Sequence, residues 1–150
     1  MASAQEIQHP HAAGLQSSKA CLLELVRHHL QIKNPAQLSP ALKTEMETPL
    51  EEFQDAMQSY WKFRPDAFTN VYDIQINTIF MSTRLQNYHS PRSPMDSLVH
   101  ELTHFVQVHD LNGGSGDEDI LEGEAIQVQT WFRDNLAGHI INGVYQGPCK

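Results

Sequence analysis

Ser93 to His109 is the stretch of this chain with the fewest ways to fold. Ser93-Pro94-Met95-Asp96 reads as a helix start, with a serine cap, proline at the first helical position and an acid at the third. Met95, Leu98, Val99, Leu102, Phe105 and Val106 then recur at three- and four-residue spacing, which predicts an amphipathic helix ending near His109. In its middle stands His100-Glu101-Leu102-Thr103-His104. Residues four apart share a helix face, so the two imidazoles lie side by side. Glu101 is turned about 100° from His100.

The whole chain, 150 residues, suits a single domain spanning 1–150. Residues 1–16 are polar and carry His9-Pro10-His11, which predicts a flexible arm. Ser17 or Ser18 can cap a helix to about Lys33, with Cys21, Leu22, Leu25, Val26 and Leu30 on one face and Asn34-Pro35 as its stop. Thr48-Pro49-Leu50-Glu51 reads as a capping box for a helix to about Trp61, buried through Phe53, Ala56, Met57 and Tyr60. Val71 to Met81 alternates and is rich in β-branched residues, which predicts one strand. After a Gly/Asp-rich loop, a last helix is expected from about Glu118 to Ala137, with Gly138 as its stop; residues 139–150 form a tail without an assigned element. The fold class is therefore α+β and mainly helical, with a short strand or small sheet.

Two imidazoles on one face suit zinc, which takes neutral imidazole nitrogen. Glu101 points elsewhere, so it serves better as a general base toward a metal-activated water than as a ligand. A third protein ligand is needed. His109 follows His104 without the glycine, and at one residue too short a spacing, for the third-histidine pattern of the metzincins. It is expected to be a helix-end histidine. Leu121-Glu122-Gly123-Glu124-Ala125 offers two glutamates on the last helix, about 160° apart, so only one can bind.

With these two motifs the chain, from about Val71 to Leu136, resembles the gluzincin metallopeptidases. More narrowly it resembles their minimal bacterial members, the minigluzincins, whose core is little more than a strand, the motif helix and the glutamate helix. The resemblance implies a zincin-like core and a zinc ion held by His100, His104 and a glutamate. Glu122 is favoured, since it aligns with the first Glu of Glu-x-x-Ala and leaves Ala125 small where helices meet; Glu124 is the alternative. It further implies peptide-bond hydrolysis with Glu101 as base. The aspartate that orients a histidine in such sites is missing, and Gln129 could take its place. Tyr145, His139 and Tyr88 are candidates for an oxyanion donor.

The substrate expected from this reading is a peptide or protein segment, and the predicted strand could hold it along its edge. A zinc hydrolase of a non-peptide amide, or an inactive or regulatory zinc-binding module, are the alternatives. The retained Glu101 weighs against the last. A formal net charge of −8 with scattered acids gives no basic footprint for nucleic acid. No apolar run approaches the roughly 20 residues that span a bilayer. Asp110, Asp117 and Asp119 match no calcium spacing, so a solvated loop is expected there. Ala2-Ser3-Ala4 looks like the end of a cleavage site, which suggests a periplasmic or secreted protein against a cytoplasmic one. In an oxidising compartment Cys21 and Cys149 could pair; otherwise they are two unrelated thiols.

Overall fold

The computed structural model describes residues 10–114 and 116–150, and about half of them are helical. The expected arm falls partly outside that range. Its described part, from Pro10, is helix: α1 spans Pro10–His29. Tertiary contact overrides the polar composition here, because Leu15 is fully buried and Gly14 lies against the far end of the chain. Ser18 is not a cap; its hydroxyl accepts the Tyr145 N–H at 3.0 Å. The helix closes short of Lys33. Gln31 takes a left-handed φ of 57°, and the Ile32 N–H returns to the Arg27 carbonyl at 2.9 Å.

The connection expected to be irregular holds a strand, β1 (Ala41–Thr44). Behind it Glu47 folds back onto Thr44, accepting its N–H and its hydroxyl, both at 2.8 Å. That turn takes up Thr48, whose N–H bonds the Thr44 carbonyl. The capping box at Thr48 accordingly does not form: α2 (Leu50–Trp61) starts after Pro49 with no side-chain cap bond.

The single strand expected over 71–81 is a hairpin, β2 (Val71–Asp73) and β3 (Thr78–Met81), paired antiparallel with Tyr72 opposite Ile79. The run folds back because Asp73 Oδ1 accepts the Gln75 N–H at 2.9 Å and Asn77 takes a φ of 48°. β1 pairs parallel to β3, so the order is β1-β3-β2. Alternation along β3 divides the interior. Ile79 and Met81 join the main core with α1 and the two later helices, while Phe80 joins Phe53, Met57 and Val71 under α2.

The Ser93 start forms as expected: Asp96 Oδ2 accepts the Ser93 N–H at 2.9 Å and its hydroxyl at 2.7 Å, and α3 runs Pro94–His109. Asp117 caps α4 (Glu118–Leu136) by accepting the Asp119 N–H. Gly138 is not a left-handed stop but sits within a 3-10 turn, Ala137–His139. Beyond it the tail is ordered. Asn142-Gly143 turns β4 (Ile140–Ile141) into β5 (Val144–Tyr145), with φ of 53° and 76°. Cys149 is joined to Cys21 of α1. Leu22, Leu98, Leu102, Phe105 and Phe132 are fully buried between α1, α3 and α4. Burying each is worth roughly 1.5–3 kcal/mol. Among the described residues no helix is long and apolar enough to cross a membrane.

Candidate metal centre

α3 and α4 pack side by side, and their facing surfaces bring three side chains together. His100 Nε2 lies 2.9 Å from Glu122 Oε1, and His104 Nε2 lies 3.0 Å from Glu122 Oε2. All three ligand atoms fall within 4.8 Å of one another. Glu124 is not one of them; its Oε1 instead accepts from the Gln107 amide at 2.9 Å.

The outer nitrogen of each histidine is fixed by a glutamine. Gln129 donates its amide N–H to Asp96 Oδ1 at 2.6 Å, so its carbonyl faces His100 Nδ1 at 2.8 Å. Gln107 donates to the Leu121 carbonyl and to Glu124 Oε1, both at 2.9 Å, so its carbonyl faces His104 Nδ1 at 2.9 Å. A carbonyl only accepts, so the hydrogen-bond network assigns a hydrogen to each Nδ1 and leaves each Nε2 a lone pair. Two lone pairs and a carboxylate then converge with no donor between them. Acceptors this close repel unless a cation lies among them. Burial lowers the His100 pKa; the Glu122 charge and the Gln129 hydrogen bond oppose this without reversing it, and His104 and Arg92 add to it. The neutral imidazole is thus favoured, the form that ligates metal. The donor set, two imidazole nitrogens and a carboxylate, is one that could hold a metal ion.

Glu101 sits beside the group in a cleft of about 640 Å³ that Tyr72, His100, His104 and Glu122 also line. It is buried, and burial pushes its pKa up to about 7, with Glu122 adding to the rise and His104 and the Tyr72 N–H opposing it. A carboxylate that exchanges its proton near neutrality, next to a metal-type donor set, has the properties of a general base.

The other expected residues lie elsewhere. Tyr145 donates its hydroxyl to the Pro148 carbonyl and packs on Phe132; His139 lies against Tyr145; Tyr88 donates to the Ser82 carbonyl; none of the three lines the cleft. His109 ends α3 and meets the Tyr72 hydroxyl at 2.9 Å. Asp110 departs from the expected solvated loop: its buried carboxylate pairs with Arg27 at 2.7 Å and accepts the Ala36 N–H. Two roles escape a reading of the motifs alone. Gln107 orients His104, and its position three residues on, on the same helix face, is the only local sign of it. Asp96 caps α3 with one oxygen and holds Gln129 with the other, a link between helices that no local pattern carries.

No family model, curated protein or solved structure matches this chain.

Proposed function

We propose that this chain is a zinc-dependent peptidase of the gluzincin kind. The observation that carries the reading is the convergence of His100 Nε2, His104 Nε2 and Glu122, both imidazoles turned by glutamines into metal-accepting tautomers, beside the buried Glu101. A zincin-like core is supported by the packing of sheet, motif helix and glutamate helix around one cleft. His100, His104 and Glu122 would hold the ion. When bound, zinc would act as a Lewis acid on a carbonyl and lower the pKa of water. Glu101 would take the proton of the attacking water and deliver it to the leaving amine nitrogen. Gln129 and Gln107 would keep both imidazoles oriented through the cycle. β2 is an edge strand whose Val71 and Tyr72 line the cleft, and an extended peptide would lie along it, with the Tyr72 N–H held by Glu101.

Zinc content and turnover test this together. The protein should bind about one zinc per chain, with affinity falling at least 100-fold in His100→Ala, His104→Ala and Glu122→Ala, and roughly 10-fold in Glu124→Ala, which only releases Gln107. Glu101→Gln should keep its zinc and lose activity by about 10²–10⁴. Unchanged zinc content in the two histidine variants would remove the metal site. Full activity in Glu101→Gln would remove the mechanism.

A further inference from the structure

The cleft is one-sided in charge. Glu101, Glu118, Asp119 and Glu122 line it, and no lysine or arginine does. Among the described residues neither Glu118 nor Asp119 forms an ion pair. Both stand at the start of α4, where the helix dipole accounts for acids without any ligand. Another part of the lining asks for more. The end of α2 supplies Tyr60 and Trp61 to the same cleft, and Trp61 is stacked on Phe63 at 5.4 Å between centroids. Phe63 is 59% exposed, and Ile74, from the turn after β2, lines the same cleft at 46%. Ser59 Oγ donates to Gln75 Oε1 at 3.2 Å and ties this end of α2 to that turn. Large apolar side chains rarely gather in the open around a charged cleft without something to cover them.

We infer that the substrate of this site is a cationic, amphipathic peptide segment, with a lysine or arginine seated by Trp61 and the Glu118–Asp119 carboxylates and its apolar neighbours on Ile74 and Phe63. An aromatic side chain and carboxylates lining one cleft are what a guanidinium or ammonium on an apolar stem takes. Acidic peptides meet repulsion from Glu118 and Asp119, the two carboxylates of the lining that neither hold the ion nor serve as base. The proposal rests on the peptidase reading for the fate of the segment, but its docking is a separate property.

The experiment uses two fluorescein-labelled ten-residue peptides with the same leucine and phenylalanine positions, one carrying lysine and arginine between them, the other glutamate. Binding is read by anisotropy on the zinc-loaded Glu101→Gln protein, and cleavage on the wild type. The basic peptide should bind at least 10-fold more tightly, and raised salt should shrink that margin. Glu118→Gln/Asp119→Asn should reduce the preference at least five-fold, and Trp61→Ala should weaken the basic peptide. Equal binding of the two peptides, or a preference untouched by the double substitution, overturns the inference. Cleavage of both at equal rates also overturns it and leaves the peptidase reading standing. Selective binding with no cleavage of either peptide keeps the docking surface and removes the peptidase reading instead.

Discussion

Glu101 shows how a single residue can stand at odds with the fold that holds it. In the unfolded chain its carboxyl titrates at its ordinary 4.5; in the folded, metal-free protein burial moves that to about 7. Below the lower value both states are protonated and there is no penalty. As pH rises through the window the folded state must hold the proton or bury a charge, so stability is lost, and by about pH 8 the loss is about 3 kcal/mol. Glu101→Gln, which cannot ionise, should therefore stabilise the metal-free protein by about that much at pH 8 and by close to nothing near pH 4. Urea denaturation of both proteins across this range checks it, and a difference that does not change with pH would mean that Glu101 is not buried as described. The residues of the site were legible in sequence to the extent that they are local. His100, Glu101 and His104 form one pattern on one helix, and Glu122 stands beside Ala125 on the next. Which of Glu122 and Glu124 meets the histidines depends on the rotation of α4 against α3, and so do the links from Asp96 to Gln129 and from Glu124 to Gln107. No local spacing encodes that rotation.

At the scale of elements, α1 turns on Gly14. Alanine is about 1 kcal/mol better than glycine inside a helix, so Gly14→Ala would ordinarily stabilise. Here a Cβ would stand 1.8 Å from the Gly143 carbonyl oxygen and 2.8 Å from its carbon, both backbone atoms that cannot step aside without moving the hairpin. Gly14→Ala should instead cost about 1–3 kcal/mol. Gly123 in α4, where a Cβ would meet nothing within 4 Å, is the control, and Gly123→Ala should gain up to about 1 kcal/mol. Thermal melts of the two variants settle the sign; a stabilised Gly14→Ala would mean that the hairpin does not rest on α1. Contact between the chain's two ends also explains where the reading by elements stops. The ends of α3 are legible because Ser93, Asp96 and His109 act on their own helix. The start of α1 is not, because Gly14, Ser18 and Cys21 meet residues more than a hundred positions away. β1 is invisible for the same reason: four residues become a strand only because β3 lies beside them. The β4–β5 hairpin did carry a local sign, Asn142-Gly143 between Ile140-Ile141 and Val144-Tyr145, the pair that favours a tight turn with two left-handed residues.

Across the whole molecule, the bond between Cys21 and Cys149 joins residues 128 positions apart. Closing a loop that long removes so many conformations from the unfolded chain that the bond is worth up to about 5 kcal/mol, an upper value that native relaxation reduces. Such a bond persists where the surroundings are oxidising. Its effect should be confined to one side of the protein. The hairpin and the tail it anchors pack on α1, through Ser18 and Gly14, and meet α4 at Phe132, through Tyr145, whereas the three ligand atoms and the glutamines that aim them stand on α3 and on earlier turns of α4. Cys21→Ser/Cys149→Ser should therefore lower the melting temperature by up to about 10–20 °C, at roughly 2–4 °C per kcal/mol for a chain of this size. Below its lowered midpoint the same variant should still bind one zinc with an affinity within about threefold of the wild type, because the two helices keep the Leu102, Phe105 and Val128 core beside the site. Calorimetry and zinc titration on the oxidised protein and on the double variant separate the two effects. A loss of zinc affinity that tracks the loss of stability would show that the clasp between the chain's ends holds the site as well as the fold.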